Sequence, residues 1–273
     1  MNDLISLGIY AFLSIGIGAL LCILLTWKFK KPRWAGLVAL VFFGGPVFLG
    51  LWTTYEAQRD ERQFKEDVAY VKELCAKYGG DKIYRTVDNV EGVFQIKPKE
   101  PVTDAMWRDQ YGMPDPWSRV LLESENPAIA VGPKSAEEGA DGYWFLEQNI
   151  GLREGPPYLR RFSTSRYESG IEVNKLRSRY GYLTEDISTS EMRSRWIAGG
   201  RVQIIDLQTK DVLAERTGYF RALGSKYRDA WGGVMGTDHI CPKTEHIGSF
   251  VRKVLKPTRG LPSQQQINSL KQD

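Results

Sequence analysis

The most pronounced pattern along the chain is a pair of long uncharged runs near its start. No charged side chain occurs from Leu4 to Trp27, and none occurs from Trp34 to Trp52. At about 1.5 Å per helical residue, these runs would extend roughly 36 and 28 Å, against about 30 Å for the hydrocarbon core of a bilayer. The pattern therefore predicts a two-helix transmembrane hairpin over residues 1–53, with spans at about 4–27 and 34–52.

A cleaved signal peptide is the competing interpretation of the first run. It requires a basic segment before the apolar one and a small-residue cleavage site after it. Asp3 is the only charged residue before the run, and the run ends at Trp27-Lys28 without such a site. No ionisable residue lies within either run, and transport or proton relay generally needs one at membrane depth. The runs are therefore expected to be an anchor.

The turn between the two runs is basic, and it determines the predicted topology. Four of its six residues are Lys28, Lys30, Lys31 and Arg33. Short basic loops stay on the cytoplasmic side of a membrane. The rest of the chain would then lie outside, so the expected location in a bacterium is the inner membrane, multi-pass, with a soluble domain in the periplasm.

After the second run the pattern becomes amphipathic. Apolar residues recur at helical spacing between Tyr55 and Tyr78, and Gly79-Gly80 follows, which predicts a helix that ends at the glycines. Shorter segments with strand-like composition come next. The predicted strands are residues 82–87, 92–96, 158–164, 166–173 and the hairpin 201–207 with 211–220. A short helix is predicted at about 246–255.

These elements predict an α+β fold with one antiparallel sheet, a long N-terminal helix and a short C-terminal helix. Residues 54–256 would form the periplasmic domain, and the polar residues 257–273 a disordered tail.

Between Lys97 and about Pro157 the chain is rich in proline, glycine and aromatic residues. Exposed aromatic side chains often anchor protein interfaces. The alternative is that they fill a small core beneath a long loop. The candidate partner-binding residues are Trp107, Tyr111, Trp117, Tyr143, Trp144 and Phe145.

Cysteine usage predicts one disulfide. Cys75 and Cys241 lie near the start and the end of the predicted soluble domain, whereas Cys22 lies in the first run. Such a pair is typical of an oxidising compartment, and two unrelated buried thiols are the alternative.

A metal site would combine Cys241 with His239 and His246. No metal or other cofactor is expected, because the sequence has no further histidine and no CxxC or HExxH spacing.

Charge and motifs narrow the function classes. The chain has 37 Lys and Arg against 33 Asp and Glu, a net charge of +4, which the four basic residues of the turn match numerically. The nearly neutral remainder disfavours nucleic-acid binding. No Gly-x-Ser-x-Gly, Walker or GxGxxG motif occurs, so no enzyme is expected. Alternation in strands would place a group of arginines on one exposed sheet face: Arg160, Arg161, Arg177, Arg179, Arg193 and Arg195. A solvated face is the favoured interpretation, and a surface for an acidic partner is the alternative.

Three motifs resemble a family of small bacterial envelope proteins. Leu74 to Val87 reads LCAKYGGDKIYRTV, Ile204 to Glu215 reads IIDLQTKDVLAE, and His239 to Pro242 reads HICP. The first is similar to the family's cysteine, Gly-Gly and strand, the second to its "I-x-D-x-x-T-x-x-V-L-A-E" hairpin, and the third to its closing Cys-Pro. Members are often lipoproteins or membrane-anchored, and some are encoded beside type VI secretion effectors and are suspected immunity proteins. This chain lacks their lipobox cysteine.

The resemblance implies an inner-membrane-anchored periplasmic binding protein, with a secreted toxin as partner, that neutralises an antibacterial effector by steric capture. The sequence is also compatible with two other classes of function. One is a structural or assembly factor of the cell envelope that uses the same surface on a resident protein. The other is an enzyme acting on lipid or wall, which the absence of a catalytic motif disfavours.

Overall fold

The computed structural model describes part of the chain, in several ranges. They are residues 17, 23, 24, 27, 44–97, 102–117, 142–150, 158–163, 170–222, 224, 231, 240–242, 247–260 and 262–270. The chain divides into two compact units, Met1–Glu66 and Asp67–Asp273. The sequence had placed the boundary after residue 53.

Helix α1, Gly45–Tyr78, contains the predicted amphipathic helix and ends where the glycines predicted. The N–H of Gly79 donates to the carbonyl of Cys75 at 3.0 Å. Gly80 follows with a φ of +117°, which glycine adopts without a steric penalty because it has no Cβ. The chain thereby turns directly from the helix into the first strand.

Eleven strands and three further helices follow α1 in the described ranges. The strands are β1 (Gly80–Ile83), β2 (Val87–Val90), β3 (Gly92–Gln95), β4 (Phe145–Ile150), β5 (Tyr158–Ser163), β6 (Ile171–Val173), β7 (Tyr180–Asp186), β8 (Ile197–Asp206), β9 (Val212–Arg221), β10 (Ile240–Cys241) and β11 (Leu255–Pro257). The helices are α2 (Ser190–Ser194), α3 (Ile247–Val254) and α4 (Gln264–Leu270).

Nine of these strands form one sheet in the order β1-β9-β8-β7-β3-β4-β5-β6, and β10 pairs with β9 beyond the end of β1. β3 runs parallel to both of its neighbours, β4 and β7, whereas the other pairs are antiparallel. β2 and β11 pair separately in a parallel two-stranded sheet. The fold is α+β, but the prediction of a single antiparallel sheet was wrong, because the large sheet is mixed.

The predicted transmembrane hairpin also requires correction. In the ranges that the structure describes, no helix is both long enough and apolar enough to cross a membrane, and this finding overturns the hairpin as part of the fold class. Most of the two predicted spans lies outside the described residues. The topology-determining residues Lys28, Lys30, Lys31 and Arg33 lie outside them as well.

The main core lies on one face of the large sheet. Alternate residues of β8 and β9, such as Ala198, Val202 and Phe220, pack there against α3 and three buried tryptophans. A second cluster on the opposite face joins Ile197 and Tyr219 to Val71 of α1. Because successive strand residues point to opposite faces, β8 and β9 contribute side chains to both clusters.

The C-terminal segment differs from the disordered tail that was predicted after residue 256. Its first residue, Pro257, completes β11 beside β2, and α4 follows. Leu270 is buried, and its carbonyl accepts a hydrogen bond from Arg161 at 3.1 Å. The described part of the tail is therefore packed onto the domain.

Asp206 organises the turn between β8 and β9. Its side chain is fully buried and accepts hydrogen bonds from Arg179 at 2.9 Å and from the N–H of Gln208 at 3.0 Å. Burial alone would raise the pKa of Asp206, but the hydrogen bonds from Arg179, Gln208 and Thr209, together with the Arg179 charge, hold that pKa below its usual range. The ionised carboxylate therefore stabilises the folded state.

In the variant Asp206→Asn, the free energy of unfolding should depend less on pH in the acid range. The contribution of a carboxylate with a lowered folded-state pKa is fully present above its unfolded pKa of about 3.9 and is lost as the pH falls through the folded pKa. At pH 7 the variant should unfold at a lower urea concentration than the native chain, and the difference should shrink below about pH 4. Urea titrations along a pH series measure it, with Asp211→Asn, in the same turn but exposed, as control. A difference that stays constant through this acid range would contradict the role of Asp206.

Candidate protein-binding segment

The six predicted partner-binding residues occupy three different environments. Trp117, Tyr143 and Phe145 are core residues, with at most 2% of their surface exposed. Trp107 and Trp144 are half-buried. Tyr111 alone of the six is exposed, at 58%. The core interpretation thus holds for three of them, and a contact surface could include the other three.

The burial of Trp117 follows from two glycines in the strands beneath it. A Cβ atom at Gly200 would lie 2.2 Å from the Trp117 ring, and one at Gly218 would lie 2.6 Å from it. The indole therefore rests directly on the backbone of β8 and β9. Glycine inside a strand often marks such a close approach, and it was the sequence signal that could have placed Trp117 in the core.

Tyr143 and Phe145 are fixed at the start of β4. The Tyr143 hydroxyl donates to the carbonyl of Leu255, and burial raises the pKa of this tyrosine. Phe145 contacts Gly92 of β3, where a Cβ would lie 2.2 Å from the ring. Trp144 donates its Nε1–H to the carbonyl of Gly260 at 3.2 Å. These residues join β4 to its neighbours.

Tyr111 belongs to residues 102–117, which we call the aromatic segment. It contains a short 3-10 helix, Met106–Arg108, and a tight turn follows this helix. The Asp109 carboxylate accepts the N–H of Tyr111 at 2.9 Å. Hydrogen bonds from the backbone N–H groups of Gly112 and Tyr111 lower the pKa of Asp109, so the ionised side chain holds the turn closed.

Arg193 of α2 clamps this turn to the sheet. Its Nη1 donates to the carbonyls of Gln110 at 3.4 Å, Tyr111 at 3.2 Å and Met113 at 2.9 Å. Its Nη2 is paired with Asp186, the last residue of β7. One guanidinium therefore joins three carbonyl groups of this turn to a carboxylate of the sheet, and this arrangement fixes the position of Tyr111.

Two further contacts hold the aromatic segment in place. Gln110 Nε2 donates to the carbonyl of Ser194 at 2.7 Å. Trp231 donates its Nε1–H to the carbonyl of Asp109 at 2.8 Å, and its ring lies 5.9 Å from the Arg193 guanidinium and 5.1 Å from the Trp196 ring. The roles of Arg193 and Trp231 were missed from the sequence, where Arg193 was assigned to an exposed sheet face.

The predicted disulfide is confirmed. Cys75 in α1 and Cys241 in β10 are bonded, with their Cα atoms 5.9 Å apart. Both residues are half-buried beside the second hydrophobic cluster. The bond joins the end of α1 to the strand that extends the edge of β9.

The strongest charge clusters of the described domain are arginine–carboxylate pairs. Glu147 pairs with Arg161, Asp81 with Arg216 and Asp186 with Arg193. Among the described residues, no group of three or more His, Cys, Asp and Glu side chains could hold a metal ion. His239 and His246, the two histidines that were considered with Cys241 as metal ligands, lie outside the described residues.

Comparison of the chain with protein-family models, with curated protein sequences and with solved structures gave no match.

Proposed function

We propose that the chain is a binding protein of the bacterial envelope, and that the aromatic segment contacts its protein partner. The observation that carries this proposal is Tyr111, which is 58% exposed although Arg193 and Asp109 fix its backbone on both sides. A rigid aromatic residue loses little conformational entropy on binding. Tyrosine is also among the residues that most often dominate binding energy.

The disulfide supports an oxidising compartment for this domain. Cys75 and Cys241 are paired across 166 positions of sequence, and such structural bonds persist outside the reducing cytosol. In a bacterium that compartment is the periplasm. The motifs that include both cysteines are the ones that resemble envelope proteins, some of which are encoded beside antibacterial effectors. The partner we propose is accordingly a secreted effector, captured sterically.

Survival under attack by sister cells tests this proposal. A strain that lacks the gene should be killed by cells that deliver the effector, and the native chain should restore survival. The variant Tyr111→Ala should restore it poorly, because loss of a central tyrosine typically weakens binding by about 1–4 kcal/mol. Tyr55→Ala, which changes a similarly exposed tyrosine in α1, is the matched control. Equal survival with and without the gene, or full rescue by Tyr111→Ala, would refute the proposal.

A further inference from the structure

Strand β1 presents backbone groups that bind no other described residue. The N–H of Tyr84 donates to the carbonyl of Leu213 on β9. The same register pairs Lys82 with Glu215 and Gly80 with Thr217. In an antiparallel pair, residues alternate between facing the neighbour and facing away. Asp81 and Ile83 therefore direct their N–H and C=O groups away from β9, toward an edge where no described strand pairs with them.

The side chains around this edge are accessible. Every residue from Asp81 to Tyr84 is exposed, with Ile83 at 37% and Tyr84 at 61%. Ile83, the last residue of β1, points to the face opposite that of Lys82, whereas Tyr84, which follows the strand, reaches Glu215 beside Lys82 with its hydroxyl. An added strand could therefore cover an apolar side chain on one face and an aromatic ring on the other.

The charge along this edge is unbalanced. The Asp81 carboxylate is held by Arg216 at 2.7 and 2.8 Å. Glu215 accepts hydrogen bonds from Gln203 at 2.7 Å and Tyr84 at 3.3 Å. Lys82 is exposed and forms no ion pair with any residue in the described ranges. Lys82 lies opposite Glu215 of β9, and Asp81 is flanked by Lys253 at 3.9 Å as well as by Arg216. These three cations and two carboxylates leave one net positive charge at this edge.

We infer that β1 binds an extended segment of a partner protein as an added strand, with an acidic side chain opposite Lys82. Main-chain hydrogen bonds to Asp81 and Ile83 would supply affinity, and the charge at Lys82 would supply selectivity. A second copy of this chain fits poorly. The register that satisfies the outward groups of both copies places Lys82 opposite Lys82, and like charges directly opposite are destabilising. The surface uses other residues than the aromatic segment, so this inference goes beyond the proposed function.

Two synthetic peptides test the charge preference on the full chain. Each alternates Thr and Val over about nine residues, a length typical of a long strand, and has a single central Glu or Lys. Isothermal titration should show that the Glu peptide binds about tenfold more tightly than the Lys peptide. In the variant Lys82→Glu the order should reverse. Absence of binding by both peptides, or an unchanged preference in Lys82→Glu, would overturn the inference.

The backbone contribution is tested by Ile83→Pro. Proline removes an N–H that faces away from β9, so the bonds between β1 and β9 should remain. We expect this variant to lose binding of both peptides at an unchanged urea midpoint. If it does not fold, Lys82→Glu decides the question alone. Unchanged peptide binding by folded Ile83→Pro, or a dimer in sedimentation that Lys82→Glu strengthens, would overturn the inference. Tyr111→Ala should leave peptide binding unchanged, which separates this outcome from failure of the proposed function.

Discussion

Replacement of Glu147 by alanine should lower the free energy of unfolding by about 3–5 kcal/mol, the usual cost of removing one partner of a buried ion pair. Glu147 of β4 and Arg161 of β5 have no exposed side-chain surface, and their charged atoms lie 2.8 Å apart. Without the carboxylate, the guanidinium would remain buried and without its counter-charge. Urea unfolding at pH 7 measures the loss.

The expected effect is large because Glu147 bonds several groups at once. It also accepts the backbone N–H of Arg177 at 3.1 Å and that of Ser178 at 2.7 Å. Arg161 in turn donates to the carbonyls of Lys175 and Leu270, both at 3.1 Å. The pair thus joins β4 and β5 to the segment before β7 and to α4, and buried polar groups left without partners are costly.

Glu185→Ala is the matched control. Glu185 is paired with Arg201 at 2.6 Å on the same large sheet, but about two fifths of each side chain is exposed. Exposed ion pairs contribute about 0–1 kcal/mol, because water screens the charges and the ordered side chains lose entropy. If Glu147→Ala costs no more than Glu185→Ala, the Glu147–Arg161 pair does not hold these elements together.

Local sequence patterns correctly predicted those secondary-structure elements that are determined by residues close to one another in the sequence. The end of α1 follows from Gly79-Gly80, and the β8–β9 hairpin follows from two strand-like arms around Gln208-Thr209-Lys210. Lys210 has a φ of +67° and donates its N–H to the carbonyl of Asp206 at 2.7 Å. Short-range hydrogen bonds of this kind are encoded within a few residues, so they could be predicted without knowledge of the fold.

The mixed sheet and the buried charges could not be predicted in that way. β3 lies between β4 and β7, which come from distant parts of the chain, and no local pattern specifies such neighbours. Arg161 was assigned to an exposed face because isolated arginines are usually solvated. Its burial depends on Glu147, and the strand that contains Glu147 was itself missed because it lies in a region rich in loop-forming residues.

The candidate site was predicted only in part, for a related reason. Aromatic residues in a loop-rich region are compatible with both a surface and a core, and the sequence does not say which backbone lies beneath them. Gly200 and Gly218 decide the question for Trp117, since they leave room for its ring. For Tyr111 the deciding residue is Arg193, which is distant in sequence and fixes the turn from outside it.

Loss of the disulfide should destabilise the domain by about 3–5 kcal/mol. The chain-entropy model gives about 5 kcal/mol for a loop of this length, near the upper end of measured effects. Cys75 and Cys241 are 166 positions apart, and strands β1 to β9 all lie between them. The cross-link therefore restricts nearly the whole unfolded domain, while in the folded state it joins α1 to β10.

Urea unfolding of Cys75→Ser/Cys241→Ser, in a Cys22→Ala background that excludes thiol exchange, measures this effect. The Cys22→Ala chain with both partners intact is the control, with and without dithiothreitol. The reduced control should match the double-serine variant, and the variant itself should not respond to the reductant. An equal urea midpoint for the oxidised and the reduced control would show that the bond adds no stability. Since a cytosolic protein would be kept reduced, a large measured effect would mean that the domain reaches its full stability only in an oxidising compartment, as the proposed function requires.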